Sequence, residues 1–245
     1  MVDLGQALIV MPAYNEEVAV GDVVREVLRK LPGVSVLVVN DGSRDATAAV
    51  ARRAGARVLD LPFNLGVGGA MRAGFKYARA EGFSYVVQVD SDGQHDPDGV
   101  PAVLSALEDH DVSIGARFAG QGEYEARGPR RWAMVVLATV VGRIARTRLT
   151  DTTSGFRGAG PRAIAIFADH YPAEYLGDTV ESLVLAARAG CRITQVPVAM
   201  RPRAGGTPSH APVKAAVYLG RACLALVIAL WRPPLVLRTE EQVPA

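Results

Sequence analysis

Four short apolar runs recur in the first part of the chain, each followed by a polar cluster and then by a helix-like pattern: ALIVM at 7–11, VSVLVV at 34–39, RVLDL at 57–61 and YVVQV at 85–89. Strands buried on both faces read as near-continuous apolar runs, and parallel neighbours need helical crossovers between them. Helical patterns at 17–31, 46–54 and 65–80 supply those crossovers. Ser43 or Asp45 is expected to cap the second, and Asn64 with the glycines after it opens the third. The pattern predicts an α/β, Rossmann-like, mostly parallel sheet flanked by helices.

In such sheets ligands bind at the carboxyl ends of the strands. Polar residues gather at those ends: Tyr14-Asn15-Glu16, Asn40-Asp41, Asn64, and Asp90 with Asp92. Two carboxylates one residue apart at a strand end call for a cation between them. With the amide oxygen of Gln94 they are hard ligands, suited to Mg²⁺ or Mn²⁺ and to a substrate diphosphate. The plain alternative is a turn with solvated carboxylates. His95 could approach a ligand or stand in solvent. Asp96-Pro97 reads as a helix start, so Asp96 and Asp98 are read as capping and surface charge, with Asp96 the weaker site candidate.

The second half changes character. A strand at 112–116 ends at Arg117, and a polar loop spans 120–128. An apolar helix at 132–144 carries arginines at both ends. A Thr/Ser/Gly-rich segment occupies 151–157, and a helix is expected at 180–189. The strand at 192–200 contains Pro197, which marks an edge. A Gly/Pro-rich loop follows with Arg201 and Arg203, and 222–231 (ACLALVIALW) is unbroken apolar sequence. That tail has three readings: a buried terminal helix, an amphipathic helix at a membrane interface, or a span.

Composition narrows the class. The 245 residues are 49% hydrophobic and 21% charged, which excludes disordered and fibrous chains. Cys191 and Cys223 lie far apart and form no metal-spaced motif, as expected in a reducing compartment, and residues 1–10 lack the pattern of a secretory signal. Lys30, Lys76 and Lys214 are the only lysines. Between Arg117 and Arg148 seven arginines face Glu123 and Glu125, a basic patch suited to phosphate. No helix–turn–helix, RNP or zinc signature accompanies it, so nucleic acid is not the expected partner. Gly66–Met71 follows the third strand rather than the first, which argues against a dinucleotide fingerprint; close helix packing and access for a phosphate remain open. Gln94 and the fourth-strand position argue against a phosphatase of the haloacid dehalogenase type, and the absent Gly-rich, Lys-ended loop against a nucleotidyltransferase.

The motifs MPAYNEE, VVNDGSRD, NLGVGGAMRAGFKYA and VDSDGQHDP, in this order, resemble the family 2 glycosyltransferases of GT-A fold. DTTSGFR, Glu181 and QVPVAMRPRAGGTPS narrow the resemblance to the dolichyl- or polyprenyl-phosphate sugar transferases, over roughly residues 6–210. The resemblance implies a domain at 1–210, with a nucleotide-sugar half at 1–116 and an acceptor half at 117–210, and a C-terminal apolar helix and tail at 211–245. It implies that Pro12, Tyr14 and Glu16 hold base and ribose, that Val39 and Asp41 complete the base pocket, and that Ser91 lies near the ribose. Asp90, Asp92 and Gln94 would hold Mg²⁺ or Mn²⁺ against the donor diphosphate. Arg117 and Arg131 match arginines that face donor and acceptor phosphates, with Arg201 or Arg203 as a third.

A polyprenyl phosphate is already anionic and attacks without a general base; a saccharide hydroxyl needs one, for which Asp151 is the best candidate. The alternative reading of Asp151 is a turn residue positioning Ser154 and Arg157. The expected activity is inverting transfer of a hexose from a nucleotide sugar (GDP-mannose or UDP-glucose type) to polyprenyl phosphate. Its place is cytoplasmic, peripheral on the inner membrane face, through membrane-surface contact or a membrane partner protein. Relatives of this branch often carry two further transmembrane helices, and the chain stops at Ala245 without them, which counts against stable insertion and for the alternatives. Those are a family 2 enzyme acting on a saccharide hydroxyl, and a non-catalytic sugar-nucleotide-binding protein. Oligomeric state leaves no trace in the sequence.

Overall fold

Along β1 (Ala7–Ala13) every residue is buried, and successive side chains leave on opposite faces. Leu8 and Val10 join one apolar core, while Ala7, Ile9, Met11 and Ala13 join a second. The structure, a computed structural model, describes residues 2–116, 129–173 and 178–201. β2 (Ser35–Asn40), β3 (Arg57–Asp60) and β4 (Tyr85–Gln88) follow, separated by α1 (Val20–Lys30), α2 (Thr47–Arg53) and α3 (Gly66–Ala80). α4 (Val100–Ser105), β5 (Val112–Ala116), α5 (Pro129–Ala145), β6 (Arg157–Ala159), α6 (Pro161–His170), α7 (Asp178–Arg188) and β7 (Ile193–Pro197) complete the described chain.

The seven strands form one sheet in the order β3-β2-β1-β4-β6-β5-β7. The first three pairs are parallel; β6 runs antiparallel to both β4 and β5, and β5 and β7 are parallel. The chain winds outward from β1 to β3, then returns to lay β4 on the other side of β1. That reversal opens a crevice between the carboxyl ends of β1 and β4, the switch point at which α/β sheets bind ligands.

The first four strands and three helices lie where the apolar runs predict them, with ends shifted by one to three residues. β7 is an edge, as Pro197 requires. β6 and α6 had not been expected. β6 is three residues long and consists of Arg-Gly-Ala, so its own side chains carry no strand signal; it exists because β4 and β5 bond it from both sides. α6 starts on Pro161 and buries Ala163, Ile164, Ile166 and Phe167.

The glycines of α3 decide between packing and phosphate access. A Cβ on Gly68 would stand 2.2 Å from the Pro172 carbonyl oxygen, and one on Gly74 would stand 2.5 Å from Val10 Cγ1. They let α3 approach the end of α6 on one side and the sheet on the other, so close packing is the observed role. α5 packs through Leu137 and Val141, which are fully buried, and leaves Val135 and Val136 about half exposed. Among the described residues no helix is long and apolar enough to cross a membrane. Residues 211–245 lie outside the described residues.

Candidate active site

The crevice is stitched shut at its floor by the Ser91 hydroxyl, which donates to the Pro12 carbonyl at 3.0 Å. Pro12 thus contributes a backbone acceptor, and Ser91 is buried as the link between the β1 and β4 exits. Beyond it Tyr14 is 45% exposed, its ring free to present a face to a ligand. Asn15 adopts φ +53° and turns the chain there. The backbone N–H of Glu16 donates to Thr47 Oγ1 at 2.8 Å, which ties the β1 exit to α2.

Asp41 extends from the exit of β2 and accepts the backbone N–H groups of Leu65 and Gly66 at 2.7 and 2.9 Å. These are orphan donors at the start of α3, so the carboxylate caps that helix and complements its positive end. Burial pushes the Asp41 carboxyl up, and the two N–H bonds pull the other way. Gly66 N–H is shared with Asn64 Oδ1, as the sequence suggests for a helix opener. The first two N–H groups at this helix start, those of Leu65 and Gly66, are therefore taken. The side chain of Val39 is fully buried in the core among Leu8, Val10 and Leu37, so it supports the pocket from behind rather than lining it. Asp45 accepts from Thr47 N–H at 3.0 Å as the cap of α2, while Ser43 Oγ accepts from Asn15 N–H.

Beyond β4, each carboxylate is held by its own neighbours. Gln88 Nε2 donates to Asp90 Oδ1 at 3.1 Å, and Asp92 Oδ1 accepts the Gln94 N–H at 3.0 Å. His95 is not solvated: it is 3% exposed and stacks on Phe156 with centroids 4.9 Å apart. Its Nδ1 accepts the Asp90 N–H at 3.0 Å, and its Nε2 lies 3.5 Å from Asp90 Oδ2. The ring therefore orients Asp90 from beneath. Asp96 accepts from Asp98 N–H at 3.0 Å and caps the helical turn that follows, as expected.

These donors fit a hard divalent cation. They are two carboxylates and an amide oxygen, and among the described residues no group of three or more His, Cys, Asp or Glu forms a closed metal cage. Mg²⁺-type sites use one or two protein carboxylates and complete the shell with phosphates and water.

A buried polar cluster lies against Asp90. A Cβ on Gly155 would meet Gln88 Nε2 at 3.0 Å and the Asp90 oxygens at 3.4 and 3.5 Å, so the 151–157 segment packs directly on the carboxylate. Arg157 opens β6 opposite Gln88 and is 8% exposed. Its guanidinium donates to the carbonyls of Ser154, Thr152 and Thr179 and to Ser182 Oγ, which joins the segment to the start of α7. Asp178 stands beside it; burial pushes its carboxyl up to about 6, Arg157 opposes that and Asp90 adds to it. Asp151 is fully buried, and its Oδ1 accepts both the N–H and the hydroxyl of Thr153. A general base must reach the proton that it removes. Asp151 closes a turn out of contact with solvent, the arrangement that its alternative reading as a turn residue describes.

The Arg201 guanidinium is held by Asp96 and Glu26. Arg117, the Arg131 side chain and Arg203 lie outside the described residues. Sequence reasoning missed Gln88, Arg157 and Asp178 as members of the site. The Gln88 position, two residues before Asp90 on the same strand face, was the signal available.

A family model described as glycosyl transferase family 2 matches residues 8–169, from β1 to α6. The chain belongs to glycosyl transferase family 2. It is a glycosyltransferase, and its sheet and flanking helices are those of the GT-A fold. Undecaprenyl-phosphate mannosyltransferase of Micrococcus luteus is 30% identical over 203 residues, covering 79% of this chain and 82% of that one. Dolichyl-phosphate hexose transferase of Haloferax volcanii is 32% identical over 200 residues, covering 81% and 84%. Among solved structures, glucosyl-3-phosphoglycerate synthase from Mycobacterium tuberculosis, in complex with Mn²⁺, UDP and glucosyl-3-phosphoglycerate, superposes with a TM-score of 0.71 at 21% identity. The match covers 93% of this chain and 80% of that one, a likeness of fold.

Proposed function

We propose that this glycosyltransferase moves a hexose from a nucleotide sugar to a polyprenyl phosphate, with inversion, at the inner face of the cell membrane. The observation that carries the acceptor reading is the burial of Asp151 in a turn. The best carboxylate candidate for a base is buried and bonded within a turn, whereas an acceptor phosphate brings its own nucleophilic oxygen and needs no proton removed. The relatives named above as undecaprenyl- and dolichyl-phosphate transferases support the same acceptor.

On this reading Tyr14 offers its exposed face to the base, with Pro12, Glu16, Val39 and Asp41 shaping the pocket around it. Ser91 keeps the two strand exits at a fixed separation beneath the ribose. Asp90, Asp92 and Gln94 hold Mg²⁺ or Mn²⁺ with the donor diphosphate; the cation supplies Lewis-acid neutralisation of the departing nucleoside diphosphate. Gln88 and His95 keep Asp90 oriented, and Arg157 keeps the acceptor side closed against it. Arg117, Arg131 and Arg203 are the candidates to offset the charge of two phosphate-bearing substrates. The catalytic domain then spans 1–210, divided near 116, with 211–245 as an appended tail. The half-exposed Val135 and Val136 on α5 offer apolar surface for membrane contact.

The test is a panel of nucleotide sugars with Mn²⁺, offered a short polyprenyl phosphate or saccharide acceptors. Transfer to the polyprenyl phosphate, abolished by EDTA and retained to within about five-fold by Asp151→Asn in a variant that folds, is expected, since one lost turn contact costs about 1 kcal/mol even if all of it reached the barrier. Transfer only to saccharides would overturn the lipid acceptor, and transfer that survives EDTA would overturn the cation.

A further inference from the structure

The loop from Asp90 to Asp96 carries all three candidate cation ligands yet belongs to no helix or strand. On its inner side it is held by Ser91, His95 and the Asp92–Gln94 turn. On its outer side the fastening comes from the segment just beyond β7. The backbone N–H of Arg201 donates to the Gln94 carbonyl at 2.9 Å, and His95 pairs with Met200 in an isolated antiparallel bridge. The Arg201 side chain then grips the end of the loop. Nε and Nη2 donate to the two oxygens of Asp96 at 3.0 and 2.6 Å, while Nη1 donates to both oxygens of Glu26 on α1 at 2.9 and 3.0 Å. Lys30 approaches Asp96 and Glu26 at 3.3 Å each and Asp98 at 2.5 Å.

Every nitrogen of the guanidinium is thus committed to a carboxylate, and a phosphate would have to displace one. The local charge argues the same way, because Asp96, Glu26 and Asp98 outnumber Arg201 and Lys30. Part-exposed ion pairs contribute little to folding stability. Partners behind metal ligands have a different effect: by fixing ligand orientation they typically change metal affinity about 10–100-fold.

We propose that Arg201 is a positioning residue for the donor site: by clamping Asp96 and the Gln94 carbonyl to α1, it fixes the loop that presents Asp92 and Gln94 to the cation. The proposal rests on the cation–diphosphate reading above. It assigns to Arg201 a role at the donor end, not contact with an acceptor phosphate. Glu26 is the anchor of the clamp on the body of the protein, and Arg201 lies beyond the residues matched by the family model.

The experiment compares the full chain with Arg201→Met, Arg201→Lys and Glu26→Gln. Free Mn²⁺ is followed by electron spin resonance during titration in the presence of UDP or GDP, and thermal unfolding is recorded without metal. Arg201→Met should weaken Mn²⁺ binding about ten-fold. Arg201→Lys, which keeps the charge but cannot span both carboxylates, should fall between it and wild type. Glu26→Gln, which touches neither loop nor ligand, should weaken binding in the same direction while the metal-free unfolding temperature hardly moves. Unchanged Mn²⁺ binding in Arg201→Met and Glu26→Gln would overturn the clamp alone. So would a loss of binding that only tracks a fall in unfolding temperature. A wild-type chain that binds no Mn²⁺ with either nucleotide would overturn the cation reading and the clamp with it.

Discussion

At the scale of single residues, Asp178 has a strongly perturbed carboxyl. It is 7% exposed, and burial is the main reason that it titrates near 6 rather than 3.8. Below about pH 4 it is protonated whether the chain is folded or not. Between about pH 4 and 6 the folded protein keeps a proton that the unfolded chain releases, so stability from this group falls as pH rises. Above 6 the full loss is reached, roughly 3 kcal/mol at 1.36 kcal/mol per unit. Asp178→Asn removes the titration. Measured as urea midpoints, wild type should therefore lose ground to the variant from about pH 4 to about pH 7; parallel curves would show that the native carboxyl is not held protonated. His95 teaches a related lesson about reading single residues. Its position in sequence leaves open a ring near a ligand or in solvent, but its neighbour Phe156 comes from a segment sixty-one positions on, and no local pattern announces that stacking. Arg201 is legible to the same degree: its partners lie 105 and 175 residues away.

Elements were legible where their own side chains specify them. β1, β2 and β4 announce themselves because strands buried on both faces are apolar along their length, whereas β3, at the sheet edge, shows only Val58 and Leu59 between exposed Arg57 and Asp60. β6 does not announce itself, since its identity comes from two neighbouring strands rather than from Arg-Gly-Ala. α6 was readable after all: Gly160-Pro161 followed by apolar residues at 163, 164, 166 and 167 is a helix start and a buried face. α3 depends on a cap from outside itself. Its starting residue Leu65 provides no side-chain cap, and Asp41 supplies the missing acceptors from the end of β2. Asp41→Ala should cost about 1–2 kcal/mol in urea unfolding, and Asp41→Asn less, because the amide retains one acceptor oxygen. Equal stability of all three chains would remove Asp41 from this role.

At the scale of the molecule, two apolar cores share one sheet: strands β1, β2 and β4 contribute alternate residues to each. Neither can be lost without exposing the other, so unfolding of the described domain should be one transition. The donor site straddles strands that both cores support, and ligand binding there should stabilise the whole. Mn²⁺ with a nucleoside diphosphate at a hundred times its Kd should add about 2.7 kcal/mol, or roughly 5–10 °C in Tm. Mn²⁺ alone should raise Tm much less, because two carboxylates and an amide leave about half of an octahedral shell to be completed. A calorimetric scan that splits into two transitions, or a full shift with Mn²⁺ alone, would contradict this arrangement.

The reversed direction of β6 has a consequence for how such a site can be remodelled. The donor side is made from chain leaving strands, at Tyr14, Asp41 and Asp90; the opposite wall is made from chain entering one, at Ser154 to Arg157. Residues added or exchanged upstream of that entry do not shift the register of β1, β2 or β4. The two walls meet at one seam, at Gln88 and Arg157 with Gly155 packed on Asp90, so an exchange on either wall has to keep that seam intact.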